Sequence, residues 1–438
     1  MSGRLRRLLV DTAPLRRDHD YRLLWSGQVV SGMGTQITRI ALPYQVYVET
    51  HSTLAVAALT LVQLIPILVF SLGAGSVADA VDRRRLLLIT QACLAVCSLA
   101  LVALAVVPAA PLILVFVVAF IAAGLASVDQ PARSSSIPRL VPPERLPAAI
   151  ALNQLNFQDA SIVGPAIGGL LIATVGLAGA YTVDFLSFGA SIVALLAIAP
   201  IPPLGRVSRP GMAAIREGLA YVRGRRLVLS TFAIDLAAMI FGMPTALFPA
   251  LAIDVFGTGA IGVGLMAAAP GLGAFFGALL SGWVAAIRRP GRAVVIAVSV
   301  WGLAIVGFGL ATFSFPLALL FLALAGAADV LSAVFRAMIV QLDTPDHLRG
   351  RVTSVHILVV TSGPRIGDLE AAVVASIAGV SFSVVSGGLL CLAGVGLVVR
   401  AYPELMAHVL PSRGGRPAER APEPGVVEPA GPTGPGAA

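Results

Sequence analysis

Gly75-Ser76-Val77-Ala78-Asp79-Ala80-Val81-Asp82-Arg83-Arg84-Arg85 is the stretch that decides the fold. Apolar runs flank it, residues 54–74 before and 86–107 after. Each is long enough to cross a hydrocarbon core of about 30 Å, so the stretch reads as a short charged loop joining two membrane helices. Gly75 lets the helices approach closely. Asp79 suits a helix end, and the Arg triplet holds the loop on the cytoplasmic side.

The rest of the chain has the same character. Of 438 residues, 57% are hydrophobic and 12% charged, and the mean hydropathy is +0.92. Those values belong to polytopic membrane proteins. The net charge of +8 is a topology signal and does not point to nucleic acid. All 30 basic residues are Arg. Without Lys there is no Walker-type phosphate loop and no Schiff base, so ATP-driven transport by this chain alone is excluded. Cys93, Cys97 and Cys391 lie in apolar runs and read as buried small residues. No His or Cys cluster has metal-ligand spacing, so neither metal nor cofactor is expected, and no enzyme activity.

Apolar spans fall at about 23–48, 54–78, 86–107, 111–130, 147–175, 180–199, 227–253, 260–286, 293–312, 316–340, 350–377 and 380–400. With Arg336, Arg351 and Arg400, at the ends of spans, assigned to the adjoining loop or tail, 28 of the 30 Arg fall on one side; Arg39 and Arg365 lie deep within spans. Both termini are therefore expected in the cytoplasm. The expected fold is an all-α membrane protein, twelve transmembrane helices in two six-helix bundles related by pseudo-symmetry. Its expected parts are a cytoplasmic N-terminal segment (1–22), a first bundle (23–199), a cytoplasmic linker with an amphipathic helix (200–226), a second bundle (227–400) and a disordered cytoplasmic tail (401–438). A repeat supports the division. Gly75-Ser-Val-Ala-Asp79 matches Gly282-Trp-Val-Ala-Ala286, and Leu140-Val-Pro-Pro143-Glu-Arg-Leu146 matches Leu342-Asp-Thr-Pro345-Asp-His-Leu348. Parallel repeats with an axis along the membrane normal produce such a pattern.

Charges inside a membrane cost about 2.5–3.5 kcal/mol each on insertion scales, so each wants a reason. Arg39, Asp159, Asp184, Asp235, Asp329, Arg365, Asp368 and Glu370 lie in the spans. Arg365 and Asp368 are three apart, on one helical face, and either pair with each other or serve transport. Asp129 and Arg133 read as a structural ion pair.

The spans, the halves and the loop together resemble the major facilitator superfamily. Its loop signature is matched by Gly75, Asp79, Arg83 and Arg84; Ala80 and Asp82 depart from it. The resemblance implies a conformational latch at these residues, with Asp79 and Arg83 joining two helix ends in the outward-facing state. Gly164-Pro165-Ala166-Ile167-Gly168-Gly169 is similar to a motif of proton-coupled drug exporters, which implies export. Leu42-Pro43-Tyr44-Gln45, Thr50-His51-Ser52-Thr53, Leu247-Phe248-Pro249, Arg289-Pro290-Gly291 and Gly350-Arg351 resemble the enterobactin exporter branch. The family's central helices make Arg39, Asp159, Asp235, Arg365 and Asp368 the candidates for proton coupling or substrate binding. The function so implied is export of a small amphiphilic metabolite, a siderophore of enterobactin type, by proton-driven alternating access. Alternatives are a multidrug or macrolide antiporter and a transporter-like sensor without flux. The expected location is the cytoplasmic membrane, and the expected partners are substrate, protons and lipid. A monomer is expected.

Overall fold

The structure, a computed structural model, describes residues 11–202 and 212–409, with backbone only for 71–80, 212–215, 285 and 347. Among these residues every regular element is helical, as apolar surroundings demand of a chain that must pair its own backbone groups. In chain order the helices are α1 (His19–Thr50), α2 (Thr53–Ala80), α3 (Arg83–Val106), α4 (Leu112–Leu140), α5 (Leu146–Leu196), α6 (Met212–Gly224), α7 (Arg226–Phe241), α8 (Gly259–Leu279), α9 (Pro290–Leu310), α10 (Phe315–Asp343), α11 (Asp346–Ala378), α12 (Val380–Ala401) and α13 (Pro403–Ala407). Nine membrane-length apolar helical spans occur among the described residues. α1 and α11, at 32 and 33 residues, are long enough but too polar to be among them. These two helices carry Arg39, Arg365 and Asp368.

Several boundaries differ from the sequence expectation. The spans expected at 147–175 and 180–199 are an exception: they are the two limbs of α5, which turns back between them at Gly176 (φ 74°, ψ 179°). A backbone with that φ suits a residue without Cβ. Gly379 (φ 92°) reverses the chain between α11 and α12. The span expected at 227–253 stops being α-helical at Phe241 and resumes from Thr245 as a 3-10 turn. Pro244 at the break has no N–H to continue the ladder. The span expected to reach 286 ends at Leu279, and Ser281–Ala286 is a 3-10 turn. Residues 401–409, expected as the start of a disordered tail, are ordered: α13 packs with Leu405 fully buried. The remainder of that tail lies outside the described residues.

The linker helix α6 docks on α11 and the end of α10: Glu217 pairs with Arg351 at 2.9 Å, and the Tyr221 hydroxyl donates to the Asp343 carbonyl at 2.7 Å. Val222 shares a small core with Val228, Phe232, Val352 and Val355.

The core is continuous at one end of the molecule and divided at the other. The largest cluster joins Val46, Ala57, Tyr181, Leu251, Phe308 and Ala372, and so unites α1, α2 and the second limb of α5 with the residues after α7, α9 and α11. At the opposite end one cluster gathers Tyr21, Leu87, Ala132 and Leu152, and another gathers Ile234, Val298, Phe335 and Val398. No residue is shared between them.

Close helix crossings depend on missing Cβ atoms. A Cβ on Gly273 of α8 would lie 1.7 Å from the Ala323 carbonyl oxygen, and one on Gly326 of α10 would lie 1.9 Å from that of Pro270. Backbone cannot yield cheaply at such distances. Gly326→Ala is expected to destabilise the α8–α10 pair by about 1–3 kcal/mol, the usual penalty of overpacking. Thermal unfolding of the detergent-solubilised variant checks it.

Candidate functional site

The central feature begins at the break after α7. Interrupting the helix frees backbone groups that must find partners. The Trp301 indole N–H of α9 donates to the Gly242 carbonyl at 2.8 Å. On the other side, Asp368 of α11 accepts from the Ala246 N–H at 2.7 Å and the Thr245 hydroxyl at 2.6 Å. Thr60 of α2 also faces this carboxylate, which is 3% exposed. Asp368 thus clamps the discontinuous helix. Arg365, one turn earlier, makes no direct ion pair with it among the described residues; its guanidinium donates to its own helix at the Thr361 carbonyl. Arg39 of α1 is solvent-accessible and lies within electrostatic reach of Asp368. Arg365 senses both Arg39 and Asp368. Two guanidinium groups against one carboxylate leave a local charge of about +1 between α1 and α11.

A second cluster lies between α7, α10 and α11. Arg336 of α10 contacts Asp235 of α7 at 2.8 Å, with side chains 7% and 2% exposed. Asp329 stands 3.9 Å from the same guanidinium, and the Ser332 hydroxyl accepts from it at 2.7 Å. His356 of α11 is electrostatically coupled to Asp235 and Arg336, and its ring meets Phe232 edge-to-face. The sequence expectation put Arg336 in a loop. It lies inside α10, which continues to Asp343. A signal was available: Asp329, Ser332 and Arg336 fall at i, i+3 and i+7, one helical face.

Elsewhere, Asp159 is exposed on α5 and forms no ion pair among the described residues. Asp184 is 1% exposed and accepts from Thr38 of α1 at 2.6 Å and Ser98 of α3 at 2.7 Å, a tie between three helices. Asp129 pairs with Arg133 at 3.2 Å and accepts from Thr90 and Gln91 of α3, the structural role expected for it. In the 75–85 stretch, the surroundings of Gly75 and the side chain of Asp79 lie outside the described residues. Arg83 is buried and its Nε donates to Ser135 of α4 at 3.0 Å. Arg84 donates to the Leu195 and Leu196 carbonyls at the end of α5. Asp82 caps α3 at the Arg85 N–H.

The matching family model, described as transmembrane secretion effector, spans residues 10–424. The chain belongs to this family. It is a transporter of the major facilitator superfamily and not an enzyme. It is 28% identical over 365 residues to the enterobactin exporter EntS of Citrobacter koseri, covering 82% of this chain and 86% of that one, and equally to that of Shigella boydii serotype 18. Its fold is that of the POT family transporter PepTSo (TM-score 0.68, 14% identity, 88% of this chain and 99% of that one). It is similarly that of a bacterial homologue of the iron transporter ferroportin in an inward-facing state (TM-score 0.66, 16% identity, 89% and 99%).

Each glycine of the Gly164-Pro165-Ala166-Ile167-Gly168-Gly169 motif meets a different neighbour. A Cβ on Gly164 would strike Gln36 of α1, one on Gly168 would press on the Ile37 backbone, and one on Gly169 would lie 2.5 Å from the Ala260 carbonyl of α8. Gly264 of α8 meets Gly169 and the Pro165 carbonyl in return. The motif seats α5 against α1 and α8 together. At the same end of the molecule the Tyr47 hydroxyl of α1 donates to Asp254, after α7, and Thr53 of α2 donates to the Ala372 carbonyl of α11 at 3.3 Å. Tyr47→Phe is expected to raise the fraction of molecules open at this end by about fivefold, for the ~1 kcal/mol of a net hydrogen bond. Distances between spin labels across the α1–α8 gap measure it.

Proposed function

We propose that this transporter is a proton-driven exporter of a small anionic amphiphile, a siderophore of enterobactin type, in the cytoplasmic membrane. The carrying observation is that two guanidinium groups, those of Arg39 and Arg365, lie within electrostatic reach of the Asp368 carboxylate. A net positive site between central helices suits a catecholate or carboxylate ligand. The likeness to the enterobactin exporters supports that substrate class. In this proposal twelve spans form two halves, residues 23–199 and 227–400, joined by the 200–226 linker, with both termini cytoplasmic. The Gly176 and Gly379 reversals fall at corresponding places in the two halves. The continuous core then marks the outer end, and the divided core marks a cytoplasmic opening. Rocking of the halves would exchange the two, with the Gly75, Asp79, Arg83 and Arg84 loop closing the cytoplasmic end in the other state. Protons would act at Asp235, which shares Arg336 with Asp329: protonation frees the guanidinium, and release restores the pair.

The test is uptake of enterobactin into inside-out proteoliposomes under an imposed proton gradient. Uptake that collapses with the gradient is expected; uptake indifferent to the gradient removes the coupling, and none at all removes the substrate. A cationic drug is the second candidate, supported by the exposed Asp159 without an ion-pair partner among the described residues. Efflux of a cationic dye, lost in Asp159→Asn and insensitive to enterobactin, would favour it.

A further inference from the structure

We infer that the α8–α9–α10 flank holds a binding site for an anionic phospholipid of the cytoplasmic leaflet. α8 and α10 cross tightly at Gly273 and Gly326. Beyond the crossing α8 stops at Leu279, and the chain swings into the Ser281–Ala286 turn. α10 runs on to Asp343. The divergence opens a groove of about 520 Å³ between the turn, α9 and α10. Its floor includes Ala297 and Phe335, which are buried, and its walls include Ile296, Leu324 and Trp283, which are 64%, 45% and 49% exposed. The Trp283 ring leans on Phe335, with centroids 6.2 Å apart. α9 packs on α10 and α12, so this flank is remote from the charged groups between α1 and α11.

The groove is apolar except at one end, where Arg288, Arg289 and Arg292 line it. All three are exposed. None has a carboxylate partner among the described residues; Arg292 donates only to the Met406 carbonyl of α13. These Arg belong to a loop that the distribution of positive charge puts at the cytoplasmic surface. An apolar trough along the membrane-facing helices, headed by unpaired guanidinium groups at interface height, complements one molecule well. An acyl chain fills the trough and a phosphodiester meets the Arg. Trp283 stands at the level where indoles favour the lipid interface. A zwitterionic lipid would bring a cationic headgroup against the same Arg, so the site selects net negative charge.

Native mass spectrometry of the full chain, released from an equimolar mixture of dioleoyl phosphatidylglycerol and dioleoyl phosphatidylcholine, tests the site. The protein is expected to retain phosphatidylglycerol over phosphatidylcholine by about tenfold or more, given the strength of basic clusters toward anionic lipid. Arg288→Gln/Arg289→Gln/Arg292→Gln is expected to erase the preference. Ile296→Phe/Val300→Phe keeps the charges but fills the groove, and is expected to lose the retained lipid while eluting as the parent protein does. Equal retention of both lipids by the parent, or an unchanged preference in either variant, overturns the site. Displacement of phosphatidylglycerol by millimolar inorganic phosphate also overturns it, in favour of a headgroup-only anion site. Displacement by enterobactin overturns it in favour of a substrate portal.

Discussion

Arg336→Met is expected to destabilise the protein by about 3–5 kcal/mol, as breaking a buried ion pair from one side does. The variant leaves Asp235, 2% exposed, without the guanidinium that contacts it at 2.8 Å. Among the described residues the one other cation near Asp235 is His356, when protonated, and Phe232 already occupies one side of that ring. Asp329 does not share this dependence: it stands 3.9 Å away and is 41% exposed, so Asp329→Asn should cost well under half as much. Replacing both partners removes the uncompensated charge. Asp235→Asn combined with Arg336→Met should therefore recover most of the stability while leaving proton coupling abolished. Thermal unfolding in detergent gives the first quantity and gradient-driven flux the second. An Arg336→Met protein that melts with the parent would show that the pair carries no stability, and a double variant that still couples would move the proton site elsewhere.

How much of this was legible in advance depends on what kind of signal each element leaves. Membrane helices announce themselves through uninterrupted apolar length, so α2, α3, α9 and α12 stand close to their expected spans, while α4 starts where expected and runs on to Leu140, ten residues past the expected end at 130. The reversal at Gly176 also showed, because a small-residue pause divides two apolar runs. The break after Phe241 did not, although Gly242, Met243 and Pro244 stand there, because the apolar run continues straight through it. Hydropathy records burial and is blind to a helix that stops without becoming polar. Arg336 was misplaced for the converse reason. A charge at the end of an apolar run looks like the start of a loop, while the helix runs on and turns the charge inward to Asp235. The same-face spacing of Arg365 and Asp368 was visible, but the partner that takes the carboxylate, the Ala246 N–H, comes from a segment about 120 residues away. Periodicity within one helix holds no information about a third. For α6, amphipathicity correctly required something to cover the apolar face. It could not say that Val352 and Val355 of α11 would do so.

The second large effect concerns the charge between α1 and α11, and it has opposite signs at two positions. Arg39→Gln takes the local charge from about +1 to 0, while Asp368→Asn takes it to about +2. The Asn side chain keeps an oxygen to accept from the Ala246 N–H and the Thr245 hydroxyl, so the clamp on the broken helix survives and the charge alone changes. One unit charge some 4 Å from a bound anion contributes about 1 kcal/mol in water and up to about 4 kcal/mol in a surface-like dielectric. For an anionic substrate, Arg39→Gln should thus raise KM by roughly fivefold or more. Asp368→Asn should lower KM and, by holding the anion through the conformational exchange, lower kcat as well. A neutral substrate would leave both constants nearly unmoved, and a cationic one would reverse the two directions. Concentration-dependent flux of enterobactin through the two variants separates these cases. Shifts of the same sign at Arg39 and Asp368 would mean that their effect is structural and that the substrate does not sense the field between α1 and α11.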